Sequence, residues 1–395
     1  MKILVQKFGG TSVSSEENRK LVVKKIKIAL EQGYSPVVVV SAMGRKGAPY
    51  ATDTLLSLVG ENFKRNNPQA IDLLMGCGEI LSTVVISEDL FKENILAVPL
   101  TGGQAGIKTN DNYNNAAILE VKPDKLLELL NQGKVPVVAG FQGVSENGFL
   151  TTLGRGGSDV TGAILGAALK ADEVQIYTDV DGIMTADPRI VSDATLIQNI
   201  SYDEVFQFAD QGAKVIHPRA VEISRKYNIP LVIKNTLSDC EGTIISHYVE
   251  DSDSIITGIT HMNDRVQIRV SDNNQQAYES LFDILAEEKI SIDLINVFPK
   301  EKIFTIASYD LTKFKEIANR INLNCNHIES CSKIAIIGSK MRGIPGVMAK
   351  ILKALTREQI EVLQTADSHM TIWCLVESKN TQRAINALHK EFNLG

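Results

Sequence analysis

The sequence predicts an α/β fold in which a mainly parallel sheet is sandwiched by helices, followed by a smaller α+β region. Two observations carry this prediction. Over residues 1–246, short β-rich runs alternate with longer amphipathic stretches, as in parallel strands joined by helical crossovers. After a polar, charged run at 236–254, two segments of similar length follow the same order of strand, helix, strand, strand and helix.

In the first region, apolar runs predict six strands: Ile3–Gln6, Val37–Val40, Leu96–Leu100, Val135–Gly140, Val174–Tyr177 and Leu231–Ile233. Amphipathic stretches predict helices over Glu16–Glu31, Gln69–Phe91 and Tyr202–Tyr227. The run at 37–40 has no polar alternation, as expected for a strand buried on both faces. Ligands of such sheets bind beyond the carboxyl ends of the strands. We therefore expect the site in three loops that follow strands: Lys7–Val13, Ser41–Gly44 and Thr178–Gly182.

The second region, 254–395, reads as two ferredoxin-like units, the first over about 264–331 and the second over about 332–395. The first unit can close its sheet with a strand near Asn326–Cys331. The second has no strand after its last helix, whereas a spare strand lies before the first unit, at Ser254–Thr260. We expect this early strand, within 254–261, to complete the second unit, because an unpaired edge strand is a liability.

Composition sets further limits. The chain has 395 residues, enough for two or three domains of about 100–200 residues, and its net charge of −6 argues against a nucleic-acid-binding surface. No apolar run approaches the length of a membrane span, and the N-terminus turns polar too soon for a signal peptide. The five cysteines form no CxxC pair. We therefore expect a reduced, cytoplasmic chain with mostly buried thiols and no zinc site.

A glycine-rich loop follows the first predicted strand: Lys7-Phe8-Gly9-Gly10-Thr11-Ser12-Val13. Glycines let a backbone approach an anion, and bare N–H groups in such a turn form an anion-binding concavity. The lysine adds a positive charge beside phosphoryl oxygens. The pattern predicts a phosphate cradle, with a plain strand-to-helix turn as the alternative. The GxxxxGK[ST] and GxGxxG patterns are both absent, which excludes a P-loop and a Rossmann fingerprint.

A second glycine cluster, Gly154-Arg155-Gly156-Gly157-Ser158-Asp159, precedes an apolar helix predicted over Val160–Leu169. A helix N-terminus offers N–H groups to an anion, and an arginine binds a carboxylate or phosphate through two parallel hydrogen bonds. Capping of the helix by Ser158 or Asp159 is the alternative. Because capping does not explain three glycines and an arginine, we predict an anion site, with Asp159 orienting a donor or lying near a metal ion.

The polar run 178–189, Thr-Asp-Val-Asp-Gly-Ile-Met-Thr-Ala-Asp-Pro-Arg, also follows a predicted strand. Its Asp-x-Asp-Gly start is that of a calcium loop or of a plain Asx turn. The downstream glutamate of the EF-hand spacing is missing, which excludes a calcium site and leaves the Asx turn as the alternative. A long polar loop at this end of a strand suits a nucleotide, with Arg189 near a phosphate.

Three single residues complete the candidate set. Glu79 follows two glycines inside a helical pattern, which indicates a close backbone approach; a solvated helix face is the alternative. Thr52 begins a short helical stretch, with helix capping as the alternative. Lys214 follows Gly212-Ala213 and would be a second phosphate lysine, with a surface lysine as the alternative.

Five segments, taken together in their order and spacing, resemble the aspartate kinase (aspartokinase) family. They are Lys7–Val13, Val40–Gly44, Gly154–Asp159, Tyr177–Arg189 and Gly212–Pro218, and the resemblance covers essentially the whole chain. It implies an amino-acid-kinase domain followed by two regulatory ACT domains, the second of which borrows a strand from before the first. It also implies ATP-dependent phosphorylation of the L-aspartate β-carboxylate to 4-phospho-L-aspartate, on the route to lysine, diaminopimelate, threonine and methionine.

The resemblance also implies roles for individual residues. Lys7 and Asp159 would be catalytic, with Lys7 contacting the transferred phosphoryl group. The implied nucleotide-binding residues are Lys7, Phe8, Gly9, Gly10, Thr178, Asp179, Met184, Thr185, Asp187, Arg189 and Lys214. The implied aspartate-binding residues are Ser41, Thr52, Glu79, Arg155 and Ser158. Arg155 would hold the α-carboxylate and Glu79 the ammonium group, while Mg²⁺ would arrive with ATP rather than in a dedicated protein site.

For feedback regulation, the resemblance implies effector residues in the ACT domains: Ile290, Asp293, Arg342, Gly343, Ile344, Pro345, Gly346, Gln364, Thr365 and Asp367. The run Leu363–Trp373 is similar to the diaminopimelate-responsive branch rather than the lysine- or threonine-responsive ones, and Arg45–Ala51 is similar to Bacillus-type members. Met184 stands where some members have an aromatic residue, and Ser271–Asn274 where an ACT effector loop usually has a Pro-Gly pair. ACT domains normally pair across subunits, so we expect a homodimer or homotetramer, with no nucleic-acid or membrane partner.

Two other functions stay open from the sequence. One is a different kinase of the same superfamily, acting on acetylglutamate, glutamate or uridylate; the ACT units and the aspartokinase-type loops count against it. The other is a non-catalytic amino-acid sensor that uses its ACT units alone. The presence of Lys7, Asp159, Arg155 and Lys214 counts against a sensor.

Overall fold

The computed structural model describes residues 1–213, 215–247, 254–272, 274–341 and 344–395. These residues form two compact units. The first unit contains Met1–Ile183, Leu196–Ala209 and the described residues from 215 to 247, and the second contains Met184–Thr195, Asp210–Ala213 and the described residues from 254 onward. The second unit thus takes in two short segments that interrupt the first along the chain.

The elements of the first unit alternate as the sequence predicts. Its strands are β1 (Lys2–Phe8), β2 (Tyr34–Val40), β3 (Ala97–Leu100), β4 (Ile107–Thr109), β5 (Ile118–Val121), β6 (Val135–Ala139), β7 (Gln142–Ser145), β8 (Leu150–Thr152), β9 (Glu173–Thr178), β10 (Asn199–Ser201), β11 (Leu231–Asn235) and β12 (Thr243–Ser246). Its helices are α1 (Glu16–Glu31), α2 (Thr52–Leu56), α3 (Glu61–Asn66), α4 (Pro68–Lys92), α5 (Asp124–Asn131), α6 (Gly157–Leu169), α7 (Tyr202–Asp210) and α8 (Pro218–Tyr227).

An eight-stranded sheet with the order β10-β12-β11-β9-β1-β2-β6-β3 forms the centre of the first unit. Strand β1 pairs in parallel with β2 and β9, β6 pairs in parallel with β2 and β3, and β9 pairs in parallel with β11. Only the pairing of β11 with β12 is antiparallel in this sheet, as far as the chain is described. Residues Val37–Val40 are fully buried, since helices cover both faces of a central parallel strand. The predicted mainly parallel sheet is confirmed.

Two features of the first unit differ from the predictions. The helix predicted over Tyr202–Tyr227 is wrong as one element: it divides into α7 and α8, because Gly212 adopts a φ of +112° and Pro218 can only begin a helix. A second, four-stranded sheet with the order β5-β4-β7-β8 was not predicted. Its strands have three or four residues, too few for alternation to be recognised.

Helix α4 is the long core helix of the first unit. It has 25 residues and, by length and composition only, is apolar enough to cross a membrane, although polar residues interrupt it and keep each consecutive apolar run short. Half of that window is buried within the fold, and the helix carries the buried carboxylates Asp72 and Glu79. These properties are those of a helix packed in a protein core.

The second unit contains a six-stranded sheet with the order β14-β15-β13-β16-β18-β17. Its strands are β13 (Gly258–Ser271), β14 (Ile292–Phe298), β15 (Glu301–Ala307), β16 (Cys325–Ile337), β17 (Gln364–Asp367) and β18 (Thr371–Glu377). Its helices are α9 (Gln275–Glu287), α10 (Leu311–Arg320), α11 (Val347–Arg357) and α12 (Thr381–Glu391).

Strand β13 serves both predicted repeats. Its first part, Gly258–Met262, pairs with Lys333–Ile337 of β16, and its later part, Arg265–Ser271, pairs with β15. The expectation that an early strand completes the second repeat is confirmed. The predicted separate strands are continuous, however: β13 joins two of them, and β16 joins Asn326–Cys331 to Lys333–Gly338.

Each repeat has its own hydrophobic core. The first core lies under α9 and α10, and the second lies under α11 and α12. Ala186 and Val191, from the segment 184–195, are buried in the second core. All five cysteines are free, but only Cys331 and Cys374 are buried, so the expectation of mostly buried thiols is wrong.

Replacing Ile334 with alanine should destabilise the second unit by about 2–5 kcal/mol, because the side chain is fully buried in the second core and its loss leaves a cavity. Ile328→Ala on the same strand is the control, since Ile328 is 40% exposed. Chemical denaturation measures the free energy of unfolding of both variants. Equal losses would contradict this assignment of the core.

Candidate active site

A cavity of about 330 Å³ lies at loops that follow the carboxyl ends of β1, β2 and β6. It is lined by Lys7, Gly10, Ser41, Ala42, Gly44, Thr52, Glu79, Phe141, Gly154, Arg155, Gly156, Gly157, Ser158 and Asp159. The five predicted aspartate-binding residues are all in this lining, together with both predicted catalytic residues. The structure therefore brings these side chains together, and their roles stay predictions.

Lys7 and Asp159 form an ion pair, with 2.6 Å between Lys7 Nζ and Asp159 Oδ1. Both side chains are nearly buried, at 11% and 13% exposure. Lys7 stands near the end of β1, and Asp159 lies in the first turn of α6. The other carboxylate oxygen of Asp159 accepts a hydrogen bond from the His217 backbone N–H at 3.3 Å. The lysine is thus held at the cavity wall by a residue that is itself fixed.

The loop after β1 is held by its neighbours. The Gly9 N–H donates to the Tyr177 carbonyl at 3.1 Å, and the Gly44 N–H donates to the Gly10 carbonyl at 2.9 Å. A Cβ at Gly10 would lie 2.7 Å from the Ala42 carbonyl oxygen, so only glycine fits there. Phe8 stacks on Tyr177 with ring centroids 4.7 Å apart. These contacts place two loops side by side at the carboxyl ends of β1 and β2.

Glu79 is a buried carboxyl group without a full set of partners. Its Oε1 accepts the Ala42 backbone N–H at 3.2 Å, and its Oε2 has no hydrogen-bond partner among the described residues. Burial raises the pKa of Glu79 to about 8. Gly78 allows this approach, because a Cβ there would lie 2.8 Å from the Ala42 side chain. The alternative of a solvated helix face is wrong, and Glu79 suits a positively charged ligand group.

The second glycine cluster forms the turn that begins α6. Gly154 and Gly156 have φ values of +76° and +67°, and a Cβ at Gly156 would lie 2.2 Å from the His217 ring. Gly156 is the N-cap residue, with no side-chain cap bond, so the capping alternative for Ser158 and Asp159 is wrong. Thr52 is likewise inside the first turn of α2, whose N-cap is Ala51. These side chains stay available to the cavity.

Two buried side chains that sequence reasoning missed support the cavity from outside. Asp72 accepts hydrogen bonds from the Asn114 N–H at 2.9 Å, the Thr152 N–H at 2.7 Å and the Thr152 hydroxyl at 2.8 Å. Gln142 donates to the Gly76 carbonyl at 3.1 Å. Both tie α4, which carries Glu79, to the chain that leads to Arg155. The sequence offers only a weak indication of this role: Asp72 lies seven residues before Glu79, on the same face of one helix.

The predicted nucleotide residues divide between the two units. Lys7, Phe8, Gly9, Gly10, Thr178 and Asp179 belong to the first unit, whereas Met184, Thr185, Asp187 and Arg189 belong to the second. Asp179 pairs with Arg45 at 2.6 Å, a partner that the sequence did not suggest. Arg189 binds Asp187 through two parallel hydrogen bonds, which lower the Asp187 pKa, and its side chain is 87% exposed. Lys214 lies outside the described residues.

Two of the predicted effector residues, Asp293 and Gln364, make separate polar contacts on the sheet of the second unit. Asp293 pairs with the buried Lys333, and Gln364 contacts Gln267 at 3.0 Å and Asn296 at 2.6 Å. Thr365 and Asp367 continue along β17 from Gln364, while Ile290 is buried in the first core. Ile344 and Pro345 are exposed before α11, and Gly346 is its N-cap residue. Arg342 and Gly343 lie outside the described residues.

Among the residues that the structure describes, no group of three or more His, Cys, Asp or Glu side chains is placed to hold a metal ion. The cavity instead combines a lysine, an arginine, two carboxylates and a helix N-terminus. This set suits a ligand that carries both negative and positive groups.

Comparisons with known proteins cover both regions of the chain. Residues 2–235 match the amino acid kinase family, and residues 326–390 match the ACT domain. The chain is 44% identical to aspartokinase 1 of Bacillus subtilis, over the full length of both. Its structure is similar to E. coli aspartokinase III solved with aspartate and ADP, with a TM-score of 0.80 and 24% identity over 99% of this chain and 100% of that one. The same E. coli enzyme solved with lysine and aspartate gives a TM-score of 0.80 and 25% identity, with the same coverage.

Replacing Asp72 with asparagine should destabilise the first unit by about 1–3 kcal/mol, because one amide oxygen cannot accept all three hydrogen bonds in a buried place. Asp111→Asn is the matched control, since Asp111 is exposed and accepts from the Asn147 side chain. Denaturant unfolding and amide exchange at Asn114 and Thr152 measure the effect. A stability loss no larger than that of the control would refute the structural role of Asp72.

Proposed function

We propose a residue-level mechanism for this chain, which belongs to the aspartokinase family and is a kinase that phosphorylates aspartate with ATP. Its ACT domains make it an allosterically regulated enzyme. The observation that carries the mechanism is the cavity that places Lys7, Asp159, Glu79 and Arg155 in one lining. Mg²⁺ enters as part of the nucleotide substrate.

Aspartate is held by its charged groups. The Arg155 guanidinium binds the α-carboxylate, and Glu79 binds the ammonium group, for which its unpartnered buried oxygen is suited. Ser41, Thr52 and Ser158 complete the binding through their hydroxyl groups. The β-carboxylate then points to the phosphate loop after β1. This orientation supplies most of what the reaction needs, because a carboxylate is already an ionised nucleophile.

Phosphoryl transfer follows by in-line attack. A β-carboxylate oxygen forms a bond to the γ-phosphorus as the bond to the β,γ-bridging oxygen breaks, and ADP leaves with that electron pair. Lys7 neutralises charge on the transferred group, and Asp159 keeps the lysine in place. The glycine backbone at Gly9 and Gly10 lets the phosphates approach the loop closely, while the Gly9 N–H itself donates to the Tyr177 carbonyl. Thr178, Asp179, Met184, Thr185, Asp187, Arg189 and Lys214 bind the rest of the nucleotide.

We also propose how the enzyme is regulated, how it assembles and where it is located. An amino-acid effector binds the ACT domains at residues that include Asp293 and Gln364, and meso-diaminopimelate is favoured over lysine and threonine by the run Leu363–Trp373. The catalytic domain lies within 1–246, apart from the segments Met184–Thr195 and Asp210–Ala213 of the second unit, and the two ACT domains lie within 254–395. The chain forms a homodimer or homotetramer. A cytoplasmic location is supported by the free cysteines.

The activity is tested by incubating the chain with ATP, Mg²⁺ and L-aspartate and trapping the acyl phosphate as a hydroxamate. Turnover on aspartate is expected, and it should fall when meso-diaminopimelate is added. Parallel reactions with lysine and threonine identify the effector. Turnover on acetylglutamate, glutamate or uridylate but not on aspartate would overturn the substrate assignment.

Replacing Lys7 with alanine should lower kcat by a factor of about 10²–10³ or more, because a charge that stabilises the transition state is lost. Lys2→Ala on the same strand is the control, since Lys2 is exposed. Initial rates at saturating ATP and aspartate give kcat for each variant. Near-normal turnover of Lys7→Ala would eliminate Lys7 as a catalytic residue.

Aspartate binding should depend on pH through Glu79. With its pKa raised to about 8, Glu79 is mostly protonated at pH 7 and must lose its proton to bind the ammonium group. Affinity for aspartate should therefore rise about tenfold per pH unit from pH 6 toward 8 and level off above pH 8. Calorimetry at pH 7, in two buffers of different ionisation enthalpy, should detect about one proton released per aspartate bound.

Glu79→Gln provides the comparison, because an amide cannot titrate. This variant should bind aspartate more weakly, by a factor of about 10–100, with no dependence on pH between 6 and 8. A wild-type affinity that is constant over this range, with no proton released, would rule out Glu79 as the ammonium ligand.

A further inference from the structure

Two segments that interrupt the first unit along the chain are parts of the second unit. They are Met184–Thr195 and Asp210–Ala213. The first contains four of the residues proposed to bind the nucleotide, and the second directly precedes a fifth, Lys214. The side chains that hold these two segments in place could therefore set the affinity for the nucleotide.

Thr185 is the best-anchored residue of the first segment. Its side-chain oxygen shares a hydrogen bond with Nε2 of His389 at 3.0 Å and accepts the Thr195 N–H at 3.0 Å. Its backbone N–H donates to the Thr195 carbonyl at 2.9 Å, and its carbonyl accepts the Ile259 N–H at 2.7 Å. Thr185 and His389 are 8% and 4% exposed, so water does not replace these bonds.

Helix α12 contacts the same segment at further points. The Asn386 side chain donates to the Ile190 carbonyl at 3.1 Å, and the Thr195 hydroxyl donates to the Leu394 carbonyl just after the helix at 3.0 Å. Ala186 and Val191 are buried in the core under α11 and α12. The segment is thus built into the second ACT domain, and His389 is its central polar contact.

The second segment is held from the same domain. The Trp373 indole N–H donates to the side-chain oxygen of Gln211 at 2.9 Å, and Gln211 is 6% exposed. Next to it, a Cβ at Gly212 would lie 2.4 Å from the His261 carbonyl oxygen, and the φ of +112° also favours glycine. Strands β18 and β13 therefore fix the chain immediately before Lys214.

We propose that His389 and Trp373 are positioning residues for nucleotide binding, acting through Thr185 and through Gln211. From the second ACT domain they fix one segment that carries four of the proposed nucleotide-binding residues and a second segment that ends directly before Lys214 in the sequence. This inference rests on the proposed function, which assigns those residues to the nucleotide. It makes ATP affinity depend in part on the second ACT domain, while aspartate affinity belongs to the cavity of the first unit.

The test compares His389→Leu, which removes the ring nitrogens, with His389→Gln, whose amide nitrogen can replace Nε2. ADP binding is measured by calorimetry on the full chain, and KM for ATP and for aspartate by initial rates. His389→Leu should raise the ADP Kd and the KM for ATP at least about fivefold, with the KM for aspartate within about twofold of wild type. His389→Gln should recover most of the affinity, and Trp373→Phe should weaken ADP binding in the same way.

Ile317→Val is the control for general loss of stability, since Ile317 is buried in the first core and away from both segments. Asn386→Ala serves if His389→Leu does not fold, because Asn386 is exposed and the loss of its hydrogen bond to the Ile190 carbonyl should also weaken ADP binding. The proposal would be overturned if the ADP Kd stayed within twofold of wild type in both His389→Leu and Asn386→Ala. It would also be overturned if Ile317→Val raised the ADP Kd as much as His389→Leu, or if His389→Leu raised the KM for ATP and the KM for aspartate equally. A wild type that neither binds ADP nor phosphorylates aspartate would instead overturn the proposed function.

Discussion

The ion pair between Lys7 and Asp159 is the contact around which the first unit is organised. A nearly buried lysine is costly unless a carboxylate neutralises it, so the end of β1 and the first turn of α6 must meet. The glycines make this meeting possible: a Cβ at Gly10 or Gly156 would collide with backbone or with the His217 ring. The residues that shape the phosphate loop are therefore also those that let the charged pair form.

Three carboxyl groups in or behind the cavity, Asp159, Asp72 and Glu79, are buried or nearly so, and each is stabilised differently. Asp159 has a cation, and Asp72 has three hydrogen-bond donors. Burial raises the pKa of Glu79 to about 8, since the Ala42 N–H offsets this effect only in part and no cation among the described residues lies beside the carboxyl group. The first two groups are satisfied within the fold itself. Glu79 alone is left to be completed by a ligand, and it lies in the cavity lining.

Much of the fold followed from local pattern. The six predicted strands and α1, which begins after the Ser15 cap, are where periodicity placed them, and the glycine loops are at strand ends and at a helix start. Long-range packing was not readable. The run 178–189 looks like one loop, yet it divides at Ile183 and Met184 between two units, because Ala186 and Val191 join a core formed far along the chain. Asp72 looked like an ordinary polar helix residue, since its partners come from distant loops.

The sharing of β13 by both repeats has a consequence for how the second unit forms during synthesis. The residues Gly258–Met262 leave the ribosome before the whole first repeat, yet their partners at Lys333–Ile337 follow it. The first repeat can close on itself, and β16, β18 and β17 of the second repeat can pair with one another, but the second sheet is complete only when it pairs with a strand made before the first repeat. Closing this long loop makes the pairing a late, slow event, and an exposed strand edge is present until then.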